Sequence, residues 1–369
     1  MRLAVIGRGL WGAAAARHLA MAGADVTLIG PTEPADKATH NGVFGSHYDE
    51  GRITRKNALD PYWVGVSTAA IDRYHEIERQ SGVRFYTPTG AAMVGGAAFM
   101  ARVEVGRALH DVPCDMLDHA ALSARFPFFT FPADFTGYHE TTRAGHVSPR
   151  NLVAAQAKAA QGFGATLLEA TVDGLEERAQ DVVVVTDQGR RSFDRVLVAA
   201  GYNTDRVLGR APSLEVYART VAFFEVDEAQ GAALSAMPTL VYDTPEDPYL
   251  LPPIRYPDGK LYLKLGGDPT DEPLTTDADV RAWFQAGGNP QVRDRLDAML
   301  RRLMPALDIK SLSMGSCVTS WTKDRRPELA RLSDRIAVCT GGNGAGAKCS
   351  DEIGRLGAAL IHDKTGDDR

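Results

Sequence analysis

The chain has 369 residues, of which 44% are hydrophobic and 24% charged, a composition typical of a soluble globular protein with two or three domains. Its formal net charge of −6 argues against nucleic acid as a partner, and no apolar run approaches the ~20 residues of a membrane-spanning helix. Its four cysteines lack C-x-x-C spacing and its nine histidines form no ligand motif. We therefore expect no disulfide framework, no metal site and a cytoplasmic location.

The N-terminal thirty residues carry the strongest local pattern. An apolar run that starts at Arg2 leads into the turn Gly7-Arg-Gly-Leu-Trp-Gly12, which is followed by an alanine-rich stretch to Ala22 and a second apolar run at 25–29. This strand–turn–helix–strand order predicts a dinucleotide site, with the diphosphate at the helix N-terminus. Two alternatives are a signal peptide, which the glycines argue against, and a glycine-rich turn without a ligand.

Helix and strand patterns alternate along the rest of the chain. Apolar spacing predicts helices within 61–80, 100–109, 152–161, 277–304 and 349–362. Apolar runs predict strands at 84–88, 91–94, 165–172, 182–186, 195–200, 220–226, 240–242, 261–265 and 335–340. The order predicts a cofactor domain assembled from 1–84, 145–212 and 310–369, with a substrate domain formed by 85–144 and 213–309.

Five stretches together resemble the FAD-dependent D-amino-acid-oxidase-like superfamily and, within it, the monomeric sarcosine oxidases and N-methyltryptophan oxidases. They are 5–12 (VIGRGLWG), 45–55 (GSHYDEGRITR), 263–266 (LKLG), 316–324 (SCVTSWTKD) and 341–348 (GGNGAGAK). The resemblance implies an α/β protein, α+β overall, in which a Rossmann-type FAD-binding domain carries an inserted antiparallel-sheet substrate domain. It also implies FAD as the cofactor and a small amino acid or amine as the substrate, with O2 as the electron acceptor.

The resemblance further implies which residues hold FAD. They are Gly7, Gly9, Leu10, Trp11, Gly12, Ser46, His47, Arg52, Val172, Gly201, Cys317, Gly344, Ala345, Gly346 and Lys348. Cys317 falls where these oxidases attach the flavin through a thioether. Because many relatives hold FAD without this bond, the alternative is that Cys317 is only a small buried apolar residue.

The resemblance assigns catalytic roles to four cations. Arg52 would lie over the flavin ring, while Arg55 and Lys348 would bind the substrate carboxylate, for which an arginine fork is well suited. Lys264 would activate oxygen. The alternatives are a solvated charged loop for the two arginines and an outward, wet strand face for Lys264, which alternation places on the same face as Tyr262.

Several positions depart from the family pattern, and most of them lie on the substrate side. The second strand ends in Gly30 instead of the acid that usually binds the adenosine ribose, so Glu33 or a water molecule would have to replace it. Tyr48 replaces a histidine, Asp268 stands where a histidine faces the substrate, and Thr319 replaces a tyrosine, although Tyr249 retains another. Sarcosine itself is therefore not the expected substrate.

The sequence thus predicts an FAD-dependent amine oxidase that converts a secondary amino acid, N-methylated or cyclic, to an imine and reduces O2 to H2O2. A dehydrogenase of the same fold that passes electrons to a carrier is the nearest alternative, and a flavin-holding subunit that needs a partner is another. A nicotinamide enzyme gives the second and fifth stretches no role. A monomer or small homo-oligomer is expected.

Overall fold

The computed structural model describes residues 1–268 and 270–362. Its helices are α1 Leu10–Met21, α2 Pro61–Ile71, α3 Tyr74–Ser81, α4 Ala97–Leu109, α5 His119–Arg125, α6 Pro149–Gly162, α7 Thr204–Leu208, α8 Glu228–Ala233, α9 Asp277–Ala286, α10 Pro290–Leu303 and α11 Ser350–Ile361. The strands in the first half are β1 Arg2–Ile6, β2 Asp25–Ile29, β3 Arg52–Thr54, β4 Tyr86–Thr87, β5 Ala91–Gly95, β6 Asp115–Leu117, β7 Thr136–Glu140, β8 Gly145–Val147, β9 Thr166–Leu168 and β10 Val172–Glu177. The remaining strands are β11 Val182–Thr186, β12 Gly189–Phe193, β13 Arg195–Val198, β14 Glu215–Val226, β15 Thr239–Tyr242, β16 Tyr249–Arg255, β17 Leu261–Gly266, β18 Glu272–Pro273, β19 Ser311–Trp321, β20 Glu328–Arg331 and β21 Ile336–Thr340.

A six-stranded sheet in the order β20-β21-β13-β1-β2-β9 forms the first layer. Its strands pair in parallel except for the edge strand β20. Helices α1 and α11 pack together beside this sheet, and the apolar core there includes Leu3, Val5, Leu28 and Ile353. The carboxyl ends of β1, β13 and β21 meet at one edge, where an α/β sheet of this kind binds its ligand.

A nine-stranded, largely antiparallel sheet forms the second layer. Its order is β18-β14-β17-β16-β15-β5-β7-β6, with β19 also paired to β14 along the whole length of β19. The core on one side of this sheet packs against α10 and includes Phe224, Leu263, Leu296 and Leu300. Two small three-stranded sheets, β10-β11-β12 and β3-β8-β4, complete the fold. The predicted combination of a Rossmann-type parallel sheet with an antiparallel sheet is confirmed.

Most predicted helices and strands are present, with shifted ends. The helix after the glycine-rich turn begins at Leu10 rather than near Ala13, and the Ser148 side chain caps α6 by accepting the Asn151 N–H at 3.2 Å. The strands expected at 182–186, 195–200 and 335–340 are also present. The end of the predicted cofactor domain, 363–369, lies outside the described residues.

Three segments for which the sequence predicts one type of element each contain two separate elements. The helix expected at 61–80 breaks at Asp72 and Arg73 into α2 and α3. The region 277–304 breaks at Gly287 and Gly288, whose φ angles of +73° and +116° end α9 before α10 begins. The strand expected at 165–172 is β9 followed by β10, which belong to different sheets.

The sequence pattern missed two long strands next to the site. Strand β16 contains Pro252 and Pro253, which normally count against a strand. The register of β16 with β17 shifts between Leu251 and Ile254, so the prolines fall at an irregularity in the pairing. The sequence pattern also did not predict strand β19, which overlaps the motif at 316–324 and pairs with β14 over 11 residues.

Within residues 1–268 and 270–362, no helix combines the length and the apolar character needed to cross a membrane.

Candidate cofactor and substrate site

The glycine-rich turn between β1 and α1 is shaped by close backbone contacts. A Cβ on Gly7, whose φ is +112°, would lie 2.2 Å from the Ala199 carbonyl oxygen, and one on Gly12 would lie 1.8 Å from the Gly7 oxygen. At Gly9 the nearest atom to such a Cβ is His47 Nδ1, 3.8 Å away. Gly9 caps α1 without a side-chain hydrogen bond, so the first-turn N–H groups are left for a ligand. An anion such as a diphosphate fits there.

A large cavity runs from this turn to the second sheet and is lined by most of the predicted cofactor residues. They are Gly7, Gly9, Leu10, Trp11, Ser46, His47, Arg52, Val172, Gly201, Cys317, Gly344 and Gly346. Gly12, Ala345 and Lys348 are not part of its wall. The Trp11 indole donates to the Gly346 carbonyl oxygen at 2.8 Å, which ties the start of α1 to the 341–346 loop.

At Gly30, where the family usually has an acid that binds the adenosine ribose, neighbouring atoms of Arg8 leave no room for a side chain. A Cβ on Gly30 would lie 2.6 Å from the Arg8 nitrogen and 2.7 Å from its Cβ, so the turn itself requires glycine there. Glu33, offered as the replacement, is already engaged, because Arg150 donates to both of its carboxylate oxygens at 2.7 Å and Lys37 lies 3.2 Å away. Burial opposes these cations, yet together they lower the pKa of Glu33.

The cavity wall beside the turn is neutral at His47 and Tyr48. Burial lowers the pKa of His47 to about 4 and raises the pKa of Tyr48 to about 12. The two rings meet edge to face at 4.7 Å. Tyr48 also lines the cavity. Since both groups are uncharged at neutral pH, the charge near them comes from Glu33, Arg150, Arg52 and Lys37.

Four strands place the substrate-side residues on one face of the second sheet. In an antiparallel pair, residues directly opposite each other share a face. Arg219 on β14 lies opposite Cys317 on β19, and Phe223 on β14 lies opposite Lys264 on β17. Because Arg219 and Phe223 are an even number of residues apart, Cys317 and Lys264 share this face. Tyr249 on β16 shares it as well, since it is opposite Gly266.

Lys264 is fully buried, so the alternative of a wet outward face is wrong. Its Nζ forms an ion pair with the Asp49 carboxylate and donates to the Gly51 carbonyl oxygen at 2.7 Å. It also lies 5.8 Å from the centre of the Tyr249 ring. Among the described residues, the cavity wall includes Arg52 and Cys317 but not Lys264.

Arg52 links the loop, the cavity and Cys317. Its Nη2 donates to the Ser46 carbonyl oxygen at 3.1 Å and lies 3.4 Å from Cys317 Sγ, while Nη1 pairs with Asp49. The thiol of Cys317 is free and partly exposed to the cavity. The contact between the guanidinium and the sulfur places a cation beside the only predicted point of covalent attachment.

Arg55 is partly buried and Lys348 is buried, and neither has a carboxylate within ion-pair distance in the described part of the chain. Arg55 donates from Nη1 to the Asn57 carbonyl oxygen, and its buried Nε has no hydrogen-bond partner. Lys348 is 8% exposed. Burial and the nearby charge of Arg55 lower the pKa of Lys348 to about 8. An anionic ligand would satisfy both groups.

The positions that depart from the family pattern do not all line the cavity. Thr319 lines the cavity and accepts a hydrogen bond from the Trp321 indole at 2.8 Å. Asp268 lies in the turn after β17, outside the cavity wall, and accepts the Thr270 N–H at 3.3 Å. Burial raises the pKa of Asp268, and burial also raises the pKa of Tyr249. The structure therefore does not place Asp268 together with Arg55 and Lys348 through any direct contact.

The sequence interpretation missed three charged residues next to the site. Asp49 pairs with Lys264 and Arg52, Glu140 accepts the backbone N–H groups of Lys56 and Asn57 at 2.9 and 2.8 Å, and Arg219 pairs with Asp271. Asp49 lies inside a quoted motif, but no local pattern links it to a strand more than 200 residues later. The register of β14 with β19 was needed to place Arg219.

The turn, the free helix N-terminus and the long cavity define a dinucleotide-binding oxidoreductase. A family model described as FAD dependent oxidoreductase (DAO) matches residues 2–360. The chain therefore belongs to the DAO family of FAD-dependent oxidoreductases. The cavity described above fits FAD, since it offers a diphosphate cradle at one end and a wall of Arg52 and Cys317 at the other.

Similarity to other proteins extends over nearly the whole chain. A monomeric sarcosine oxidase of Streptomyces avermitilis is 27% identical over 368 residues, which is 96% of this chain and 92% of that protein. The solved structure of NikD, an unusual amino acid oxidase essential for nikkomycin biosynthesis, has a TM-score of 0.76 at 20% identity and covers 99% of this chain and 95% of its own. The L-proline dehydrogenase of P. horikoshii has a TM-score of 0.77 at 18% identity, covering 98% and 92%. At these identities the two solved structures show a shared fold.

Proposed function

We propose that the protein is an FAD-dependent amine oxidase that converts a secondary amino acid, N-methylated or cyclic, to an imine while O2 is reduced to H2O2. The observation that carries this proposal is the pair of cations formed by Arg55, which is partly buried and has an unpartnered buried Nε, and Lys348, which is buried; neither has a carboxylate partner among the described residues. Uncompensated charges that are wholly or partly buried are costly unless a ligand neutralises them. The carboxylate of an amino acid has the right charge and, with Arg55, the right fork geometry.

The protein's own residues would bind and orient the substrate. Arg55 and Lys348 hold the carboxylate, and Glu140 keeps Arg55 in place by accepting the two N–H groups that follow it. Tyr249, Tyr48 and Asp268 would contact the remainder of the substrate. FAD, when bound, would supply the acceptor for the two electrons of amine dehydrogenation. The substrate thus loses two hydrogens, O2 gains them as H2O2, and water hydrolyses the released imine.

FAD would be held by the residues of the cavity wall, with the diphosphate at Gly9 and Leu10 and the ring system beside Arg52. We also propose a thioether between Cys317 Sγ and the flavin methyl carbon, which would form with loss of the S–H hydrogen and one methyl hydrogen, the two electrons and two protons passing to O2 as H2O2. Its support is the free thiol in the cavity wall, 3.4 Å from the Arg52 guanidinium. The test is denaturation in acid. We expect the yellow colour and the mass of FAD to stay with the wild-type chain and to be released from Cys317→Ala, and release from both would contradict the bond.

A dehydrogenase of the same fold is a second candidate, and one observation favours it. The predicted oxygen-activating Lys264 does not line the cavity and is paired with Asp49, so part of its charge is compensated. A compensated cation stabilises a developing superoxide less than a free one. Electrons would then leave to a carrier, and peroxide would not form at a useful rate in air.

We retain the predicted division into two parts, with one changed boundary. The cofactor part would comprise 1–84, 145–212 and the C-terminal segment, and the substrate part 85–144 and the stretch that begins at 213. Because β19 pairs with β14 along its length, the boundary between the substrate part and the C-terminal segment of the cofactor part is better placed after Trp321 than at 310. A monomer or small homo-oligomer and a cytoplasmic location stay predictions.

The proposed activity is tested by following O2 consumption and H2O2 formation with a panel of N-methyl, cyclic and primary amino acids. We expect one class of secondary amino acid to give O2 uptake and equimolar peroxide. Reduction of an artificial dye without peroxide would favour the dehydrogenase. The absence of electron transfer from every amino acid and amine tested would contradict both the oxidase and the dehydrogenase proposals.

A further inference from the structure

Lys264 is held in the protein interior by a small set of polar contacts. It has no exposed surface, and its Nζ contacts the Asp49 carboxylate and, at 2.7 Å, the Gly51 carbonyl oxygen. Asp49 is itself only 8% exposed, and it also accepts a hydrogen bond from the Tyr256 hydroxyl at 2.9 Å. The ammonium group is therefore fixed in direction by two oxygens from one loop.

Asp49 is the only carboxylate in contact with Lys264 in the described part of the chain. The titratable and charged groups that face the lysine from the surrounding loop and strands are Asp49, Arg52, Tyr249, Tyr256 and Cys317. Burial raises the pKa of both tyrosines, so they are neutral at physiological pH. The Asp49 carboxylate therefore pairs with two cations, Lys264 and Arg52.

Burial and, after it, the Arg52 guanidinium lower the pKa of Lys264, and Cys317 opposes them. The Asp49 carboxylate contacts Nζ, and an opposite charge at contact distance favours the ammonium form. A fully buried lysine without a counter-ion has a pKa as low as about 5 to 6. Such a lysine is neutral at pH 8 and can neither stabilise a negative charge nor attract one.

We infer that Asp49 is the counter-ion that keeps Lys264 protonated and orients it, and that Asp49 thereby acts as a positioning residue for electron transfer to O2. The inference rests on the proposed function, because it gives Lys264 its place in that step. In the step the reduced protein gives up two electrons and two protons, and O2 becomes H2O2. A protonated Lys264 stabilises the negative charge that develops on oxygen.

The first measurement reads the charge of Lys264 directly and needs no substrate. Flavin-loaded protein labelled with carbon-13 at the lysine ε carbon is titrated from pH 6 to pH 10, and the Lys264 signal is assigned from its loss in Lys264→Met. We expect the wild-type signal to stay that of an ammonium group up to at least pH 9. In Asp49→Asn it should titrate between about pH 5 and pH 8, whereas Asp49→Glu should behave as the wild type does.

The second measurement follows reoxidation by O2 after reduction with dithionite, so it also needs no amino-acid substrate. Wild type should show a flat pH profile, and Lys264→Met should be slow at every pH. A lysine with a lowered pKa is charged only below that pKa. Asp49→Asn should therefore be slower than wild type by on the order of a hundredfold at pH 9 and approach it below pH 6. Asp49→Asn combined with Lys264→Arg, whose charge needs no counter-ion, should be independent of pH.

The matched control is Glu50→Gln, the neighbouring carboxylate, which pairs with Arg150 instead of Lys264. It should change neither the lysine signal nor the reoxidation profile. An ammonium signal for Lys264 at pH 9 in Asp49→Asn would overturn the inference, as would a wild-type reoxidation profile in that variant. If Asp49→Asn does not fold, a neutral Lys264 in the wild type below pH 9 is equally decisive against it. Failure of the proposed substrate would leave both measurements intact.

Discussion

Replacement of Lys348 tests the carboxylate anchor through its dependence on pH. Lys348→Met removes the buried cation of the proposed anchor and leaves the partly buried Arg55 in place. A hydrogen bond to a charged group contributes about 1.5 to 3 kcal/mol, and each 1.36 kcal/mol corresponds to a tenfold change. We therefore expect kcat/KM for an amino-acid substrate to fall by about 10- to 160-fold at pH 7.

The wild type should also lose this contribution as the pH rises. The pKa of Lys348 is lowered to about 8, so the ammonium group is present below pH 8 and is lost above it. Each unit above the pKa reduces the charged fraction tenfold, so kcat/KM should decline by on the order of ten- to thirtyfold between pH 7 and pH 9.5. Lys348→Arg keeps its charge throughout this range and should not show the decline.

The assay is steady-state kinetics for wild type, Lys348→Met and Lys348→Arg on one substrate between pH 6.5 and pH 9.5. The ratio of wild type to Lys348→Arg at each pH cancels the titration of the substrate amine. The decarboxylated analogue is the control, since its kinetics should not respond to Lys348. A ratio that stays constant with pH, or an equal loss with the decarboxylated analogue, would refute the reasoning.

Three further changes test the packing around the site. Gly30→Ala would place a Cβ 2.6 Å from the Arg8 nitrogen, so we expect about 1 to 3 kcal/mol of destabilisation and weaker FAD retention. The control is Gly174→Ala, which should be neutral because no atom lies within 4 Å of its added Cβ. Equal melting temperatures for the two variants would argue against the contact at Gly30. Asp351 is fully buried and contacts Arg17, His18, Arg73 and Gln156, so Asp351→Asn should lower the free energy of unfolding by about 3 to 5 kcal/mol in urea at pH 7. The cationic neighbours of Asp351 lower its pKa despite burial, so its stabilising contribution is present above the pKa of an unfolded-state aspartate, about 3.9. The difference in unfolding free energy between wild type and Asp351→Asn should therefore shrink as the pH falls below that value. A difference that stays constant with pH would contradict the ion pairs. Phe224→Ala should lower the free energy of unfolding by about 3 to 5 kcal/mol, whereas Phe163→Ala, at a residue that is 43% exposed, should leave it almost unchanged. Similar melting temperatures for the two variants would contradict the position of Phe224 in the core.

The sequence was sufficient for those parts of the fold that depend on local patterns. The glycine turn at Gly7 and Gly9 predicted both the parallel sheet and the helix that follows it, because each residue acts on its immediate neighbours, although the helix starts at Leu10 rather than near Ala13. Alternation in β17 placed Lys264 opposite the leucines but could not tell whether that face was buried. The buried ammonium group is paired with Asp49, a contact made across 215 positions of sequence.

The missed strands have a related physical reason. The prolines of β16 lie at a register shift, where no regular ladder hydrogen bond is lost, so the tertiary context tolerates residues that local propensity excludes. The break between α9 and α10 could have been read from Gly287 and Gly288. The position of Glu33 next to Arg150 could not, because it depends on how α6 packs against the loop after β2.

The most direct test of the central claim is anaerobic bleaching of the flavin absorbance by secondary amino acids and by their decarboxylated analogues, in wild type and in Arg55→Met. We predict rapid bleaching of the wild type by at least one N-methyl or cyclic amino acid, little or none by its decarboxylated analogue, and a large loss of the difference in the variant. Equal bleaching by acid and analogue would contradict a carboxylate site at Arg55 and Lys348.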